Sequence, residues 1–386
     1  MALTDQLDRL AAFEPAPYPV VSLYLNAQPN QHGRDNYQVF TKKEFKARQH
    51  TYGPHTPEFE SLEHDIERIS RYLETEVKAS AHGVAIFACH AGELFEAVQL
   101  DAPIEEHWLY IGDQPHLYPL ARIVSQFPRY AAVLADTHAT RILVIAQNTV
   151  SERQSIEGVK TRRTSQGGWS QARFQRHIEN FHLQHVKDVV DALDRVVKRD
   201  GIEQILIAGD PAVLPLLREQ MPKHLADKIV DELKTDLAGT PDDDVVKAAL
   251  ESMHRLNERT DREKVDAAVG AYRAGGLGVV GPDRTLVALN NGQVDELLLA
   301  ASLGALGSVH NSPATALGSA NDAGLVEPVV ETAAAGEAAQ ADAGTVRLAD
   351  ELVTKARQTA ARVTFIEDAS LLEPYGGVAA LLRYRV

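Results

Sequence analysis

The chain of 386 residues has a single cysteine, Cys89. One thiol makes neither an internal disulfide nor a cysteine metal cluster, which excludes the small disulfide-stapled and zinc-ribbon classes. No apolar run approaches the roughly 18 residues that span a bilayer, so no membrane partner is expected. The opening Met1-Ala-Leu-Thr-Asp-Gln-Leu-Asp8 reads as the start of an acidic helix and not as a secretory leader, and the expected setting is the cytoplasm. Positive charge is in deficit: 39 Lys and Arg stand against 54 Asp and Glu, a formal net charge of −15. That balance argues against general coating of nucleic acid, which needs clustered cations, and leaves room only for local contacts. No Gly-x-Ser-x-Gly elbow is present. Gly275-Gly-Leu-Gly278 and Gly376-Gly377 lack the Lys-Ser/Thr of a phosphate loop and read as turns.

What is present is a folded α/β chain. Hydrophobic residues make up 44%, ordinary for globular domains, and the length suits two or three of them. Buried strands are expected at Pro19–Asn26, Gly83–Cys89, Glu93–Leu100, Tyr130–Ala135, Thr140–Ala146 and Gly201–Gly209. Phe59, Leu62, Ile66, Ile69 and Leu73 recur at helical spacing and predict a helix from Pro57 to about Lys78. A second amphipathic helix follows Ser170, with Ile178, Phe181, Val189, Leu193 and Val196 along one side. Residues 242–264 read as a charged helical connector. Further elements are expected at Val265–Ala274, Leu277–Val280, Leu286–Asn291, Glu296–Ala300, Leu348–Ala360 and Arg362–Ile366, with a closing strand before Tyr384. Strands alternating with helices imply sheets covered by helices. Three domains are expected: an N-terminal α/β domain at 1–125, a middle domain at 126–264 and a C-terminal α/β domain at 265–386. Residues 312–344, rich in Ala, Gly, Glu and Asp without one aromatic, read as a mobile insertion in the last.

Two segments carry candidate chemistry. In Thr164-Ser-Gln-Gly-Gly-Trp-Ser-Gln-Ala-Arg-Phe-Gln-Arg176, the pair Gly167 and Gly168 frees the backbone for positive φ and close approach to another molecule. Arg173 and Arg176, three apart, share a helix face, and Lys160, Arg162 and Arg163 add charge upstream. The second segment, within 28–57, interleaves Lys42, Lys43, Lys46 and Arg48 with Phe40, Phe45 and Tyr52. Cations among aromatics can grip a phosphate backbone and stack on bases. The competing reading is an amphipathic helix with its aromatics in the core and its lysines in water.

The first segment resembles the Gly-Gly-Gln-Ser loop and following Arg-Phe-x-Arg helix of the class-1 release factors of archaea and eukaryotes, relatives of Pelota. Gly167, Gly168, Ser170, Arg173, Phe174 and Arg176 match in register. Trp169 stands where those proteins have glutamine. The bacterial branch of the superfamily includes Balon-like hibernation factors. The resemblance implies a ribonuclease-H-like middle domain and a C-terminal domain similar to kink-turn-binding ribosomal proteins. It also implies a ribosomal partner, contacted through rRNA and tRNA, and an elongation-factor-like GTPase as a candidate delivery partner. No cofactor is implied. The family's Asn-Ile-Lys-Ser motif is missing, so stop-codon decoding is not expected.

In the release factors the loop reaches the peptidyl-transferase centre, where the glutamine helps position water against the peptidyl-tRNA ester. Indole has one N–H donor and no acceptor, so Trp169 cannot hold a nucleophilic water as an amide does, though it stacks well on bases. The favoured expectation is A-site occupancy without chemistry, in hibernation or stalled-ribosome recognition. Peptidyl-tRNA hydrolysis by a displaced Gln166 or Gln171 is the alternative. From other classes come a metal-dependent nuclease using Asp136 and Asp210, which turn chemistry explains equally, and a non-ribosomal adaptor. His177, His182 and His185 sit on the helix after the loop without a His-Glu-x-x-His pattern, and no metal site is expected there.

Overall fold

A computed structural model describes residues 3–15, 17–28, 37–102, 104, 106–126, 129–135, 139–146, 149–157, 171–211, 213–233, 240–307, 329–332 and 343–385. The chain forms two units, Met1–Gln126 with Glu258–Val386, and Phe127–Asn257. The segments expected as first and third domains therefore share one unit.

In the first half of that unit, α1 (Leu3–Ala11), β1 (Val20–Asn26), α2 (Tyr37–Gln49), α3 (Pro57–Thr75), β2 (Gly83–Cys89), β3 (Leu94–Leu100), β4 (Trp108–Gly112) and α4 (Tyr118–Gln126) follow in order. The continuous apolar runs of β1 and β2 have a direct cause, since their sheet is covered on both faces. Val21, Leu23, Leu25, Val84 and Ile86 pack under α2 and α3. Tyr24, Ala85 and Phe87 point the other way, into a core completed by α1, α4 and the C-terminal helices. Helix α3 opens on Thr56, whose side chain accepts from Phe59 N–H, with Pro57 in the first turn. Hydroxyl cap and proline both suit a helix start.

The second unit holds β5 (Tyr130–Ala135), β6 (Ala139–Ala146), β7 (Thr149–Glu157), α5 (Gln171–Asp200), β8 (Gln204–Gly209), α6 (Leu214–Gln220), α7 (Lys223–Ala226) and β9 (Ile229–Leu233). Its sheet runs β7-β6-β5-β8-β9. β5 pairs antiparallel with β6 and parallel with β8. One face, including Val133, Ile205 and Ile207, is buried by α5 and α6. The other, including Ala132, Leu134 and Leu206, is buried by Val245, Val246, Ala249 and Met253. Those four begin α8 (Asp242–Arg273), a single 32-residue helix where a connector and a separate helix were expected. Gly209, at φ +146°, lies so close to Ala135 that a Cβ there would meet the carbonyl oxygen at 1.8 Å.

The chain re-enters the first unit with the second half of α8, then β10 (Gly278–Val280), α9 (Pro282–Asn290), β11 (Val294–Ala300), β12 (Val329–Thr332), α10 (Ala343–Gln358), β13 (Arg362–Ile366) and β14 (Val378–Leu382). The four-stranded sheet is ordered β10-β14-β11-β13. Leu297 and Leu299 face the core shared with α1 and α4, and Leu298 faces Val265, Ala268 and Val269 of α8. At the turn before β14, Gly377 has φ +75° and faces the Ala305 carbonyl, which a Cβ would meet at 2.6 Å. Within the 312–344 insertion, Val329–Thr332 adds an edge strand to β4. Among the described residues no helix is long and apolar enough to cross a membrane.

Candidate nucleic-acid interface

The double-glycine segment is bracketed by β7 and α5. Lys160, Arg162, Arg163, Gln166, Gly167, Gly168 and Trp169 lie outside the described residues. Gln171 is the first residue of α5, and Arg173 and Arg176 fall in its first two turns, where the backbone is described. The helix expected near Ser170 is thus present. Its later turns anchor it: Val186, Val189, Leu193 and Val196 are buried against the sheet. His185 is 7% exposed, and its Nε2 lies 3.1 Å from the Thr140 hydroxyl, which makes it a hydrogen-bonded core residue. His177 and His182 side chains lie outside the described set.

β7 is an edge strand of polar sequence, Thr-Val-Ser-Glu-Arg-Gln-Ser-Ile-Glu, and it is fixed to its surroundings by ion pairs. Arg199 near the end of α5 pairs with Glu152. Arg153 and Arg141 converge on Asp242, Arg141 Nη1 at 2.9 Å, while Arg141 Nη2 donates to the Thr240 carbonyl at 2.7 Å. Burial, with the charge of Arg153, pulls Arg141 below the usual guanidinium range. Exposed pairs contribute about 1 kcal/mol or less each. Two on β7 still oppose fraying at the end of the strand.

The second segment is α2. Tyr37, Phe40 and Phe45 are buried, at 4, 8 and 5% exposure. Phe40 stacks on His107, centroids 5.3 Å apart. These rings are core and offer no face to a base. Lys42, Lys43 and Lys46 are exposed and Arg48 half-buried. Val39, 73% exposed, and the three lysines stand at i, i+3, i+4 and i+7, one helix face. Lys43 also reaches the Glu44 carboxylate at 2.9 Å. What α2 presents outward is a stripe of ammonium groups able to meet phosphates. The amphipathic spacing of the sequence contained that arrangement.

Asp210, a nuclease candidate, directly follows β8. Its N–H donates to the Ala135 carbonyl, and its own carbonyl accepts from Val213 and Leu214. Asp136 lies outside the described residues. Among the described residues no three His, Cys, Asp or Glu gather as a metal site.

Residues 115–255 match the family model for bacterial archaeo-eukaryotic release factor family 10. Peptide chain release factor subunit 1 of Methanobrevibacter smithii is 23% identical over 304 residues, 74% of this chain and 72% of that protein. Uncharacterized protein YocB of Bacillus subtilis is 23% identical over 248 residues, 60% of this chain and 94% of its own. Among solved structures, Dom34 of S. cerevisiae, a translation termination-like factor, aligns over 83% of this chain and 78% of its own, with 10% identity and a TM-score of 0.41. Pelota of Archaeoglobus fulgidus aligns over 79% and 80%, with 15% identity and a TM-score of 0.34. The resemblance to the release factor and Pelota superfamily read from the loop is borne out, and the match includes the loop itself.

Proposed function

We propose that this chain is a translation factor that occupies the ribosomal A site and presents its Gly167-Gly168-Trp169 tip near the peptidyl-transferase centre. The observation that carries the reading is the release-factor family match across 115–255, combined with Gly167, Gly168, Ser170, Arg173, Phe174 and Arg176 in the family register. The glycines allow close approach to RNA. Lys160, Arg162, Arg163, Arg173 and Arg176 hold phosphates, and Trp169 stacks on a base. The exposed lysines of α2 supply a second phosphate contact. Tryptophan in the glutamine's place favours occupancy, in hibernation or stalled-ribosome recognition, over hydrolysis. Kinship with the release factors supports a cytoplasmic setting and delivery by an elongation-factor-like GTPase.

The test is co-sedimentation with bacterial ribosomes across a salt series. Wild-type protein should bind at low salt, with Trp169→Ala weakened by about tenfold, the loss of one stacked base. Absence of binding at low salt would overturn the reading. Peptidyl-tRNA release separates the branches. Wild type should be inactive and Trp169→Gln should gain activity, whereas wild-type release abolished by Gln166→Ala or Gln171→Ala would transfer the assignment to hydrolysis. Metal-dependent cleavage of ribosomal RNA would favour the nuclease.

A further inference from the structure

Residues 113–118, Asp-Gln-Pro-His-Leu-Tyr, lead from β4 into α4, and α10 grips them at two points from 234 residues away in the chain. The inner point is dry. His116 and Asp350 are both 0% exposed, with Nδ1 and Oδ2 2.7 Å apart. The other oxygen, Oδ1, accepts from Leu117 N–H at 2.8 Å and Tyr118 N–H at 3.0 Å. One carboxylate thus caps α4 in trans and orients the imidazole. The outer point, one turn earlier on α10, is the pair Arg347–Asp113 at 3.1 Å, whose arginine side chain is 40% exposed and whose carboxylate is 6% exposed.

Among the described residues, His116 is further held by the N-terminal sheet, and Tyr118 beside it reaches β11. Ser22 Oγ accepts the His116 N–H at 2.9 Å, and the Tyr24 hydroxyl donates to the His116 carbonyl at 2.6 Å. Trp108 lies parallel to the imidazole, centroids 5.7 Å apart, and Tyr110 lies 4.9 Å away. The Tyr118 hydroxyl donates to the Ala300 carbonyl of β11 at 2.5 Å. Among the described residues His116 Nε2 and the Tyr110 hydroxyl are buried without a partner. A buried hydrogen-bonded dyad flanked by unsatisfied polar atoms adds little stability over apolar packing, yet removing one member is severe. Such an arrangement specifies one docking geometry and fails all at once.

We propose that Arg347 and Asp350 form a two-stage latch joining the β1–β4 sheet to the α10–β11 layer. The outer pair, which solvent reaches on its arginine side, opens first, and the inner dyad commits the join. With the latch closed, residues 3–126 and 258–385 unfold as one cooperative body. With the inner stage removed, they separate into two.

Three variants of the full chain test this by histidine 15N resonance and residue-resolved amide exchange under denaturant. A carboxylate accepting at both oxygens puts the His116 proton on Nδ1. Asp350→Asn keeps an oxygen for Leu117 and Tyr118 but turns a donor toward Nδ1, so the proton should move to Nε2. Asp350→Leu should lower exchange protection at Leu117 and Tyr118 by about tenfold or more, the loss of a helix cap. It should also give the amides of β1–β4 and those of β11, β13 and β14 different opening energies. Arg347→Gln should lower protection at 113–118 by less than about tenfold and leave one opening energy, and high salt should mimic it. If Asp350→Leu fails to fold, Asp350→Asn and Arg347→Gln carry the test. A wild-type proton on Nε2, unchanged protection in Asp350→Leu, or an Arg347→Gln loss as large as that of Asp350→Leu each overturns the two-stage latch.

Discussion

Asp65→Asn should stabilise the protein at alkaline pH and do nothing in acid. Asp65 sits in the middle of α3 at 2% exposure. Its Oδ2 accepts the His90 N–H at 2.9 Å, and one turn earlier Ser61 Oγ accepts the Ala91 N–H at 3.1 Å, which seats the β2–β3 turn on the helix. Burial pushes the carboxyl up to about 7, against the opposing pull of the His90 N–H and Arg68. The unfolded chain ionises the same group near pH 3.9. The folded state therefore binds the proton more tightly, and stability is lost as pH rises between these values, then levels above about 7. Three units at about 1.36 kcal/mol each set a ceiling near 4 kcal/mol. Relaxation around the ionised group brings the expected gain to about 2–4 kcal/mol. Asparagine resembles the protonated acid in shape and keeps an acceptor for His90, so it does not titrate and escapes the loss. Urea midpoints followed by circular dichroism at about pH 5, 6, 7 and 8 should show the two proteins diverging with pH. Parallel curves, or asparagine losing at pH 8, would refute the reasoning.

Other perturbations read different parts of the molecule. Replacing Lys42, Lys43 and Lys46 by Glu should flatten the slope of log K against log salt for ribosome binding by about two, with the melting temperature unmoved. An unchanged slope removes α2 from the interface. Gly209→Ala, forced against the Ala135 carbonyl at φ +146°, should cost about 3 kcal/mol or more in the urea stability of the second unit. His107, whose Nδ1 accepts the Asn26 N–H at 3.2 Å, is pulled below the ordinary imidazole range by burial. Its neutral form favours the fold, so that contribution is lost as pH falls below about 6.5. His107→Phe should remove that portion of the acid limb in pH-dependent unfolding.

Strands buried on both faces were the plainest to read in the sequence. Gly83–Cys89 and Tyr130–Ala135 fall where the apolar runs begin and end, because burial on both sides demands apolar residues at every position. β7 escaped for the converse reason. It is an edge strand whose exposed face is charged, and the pairing shifts by one residue between Val144–Glu152 and Ile145–Val150. A bulge there breaks the alternation that pattern reading depends on. The middle of α8 misled in another way. Apolar contacts at Val245–Met253 and at Val265–Val269 serve different sheets, and the polar residues between them look like a linker although the backbone never leaves the helix.

The candidate interface divides along the same line. Its local content was readable: paired glycines, a basic flank, and lysines on one helix face all lie within short windows, where spacing alone fixes the side on which a residue falls. What sequence could not decide was which of its two readings held for the α2 aromatics, because Phe40 meets its core partners, among them His107 67 positions away, only once the sheet has formed. The same holds for Asp350, an ordinary acid in its own helix, whose role exists only opposite the start of α4. The net charge of −15 gives this division a functional edge. An acidic body is repelled by RNA except where cations are set apart, so the proposed ribosome binding would draw its energy from the two short windows that the sequence did reveal. On that proposal, weak adhesion elsewhere with steep salt dependence at those windows gives defined docking on a polyanion.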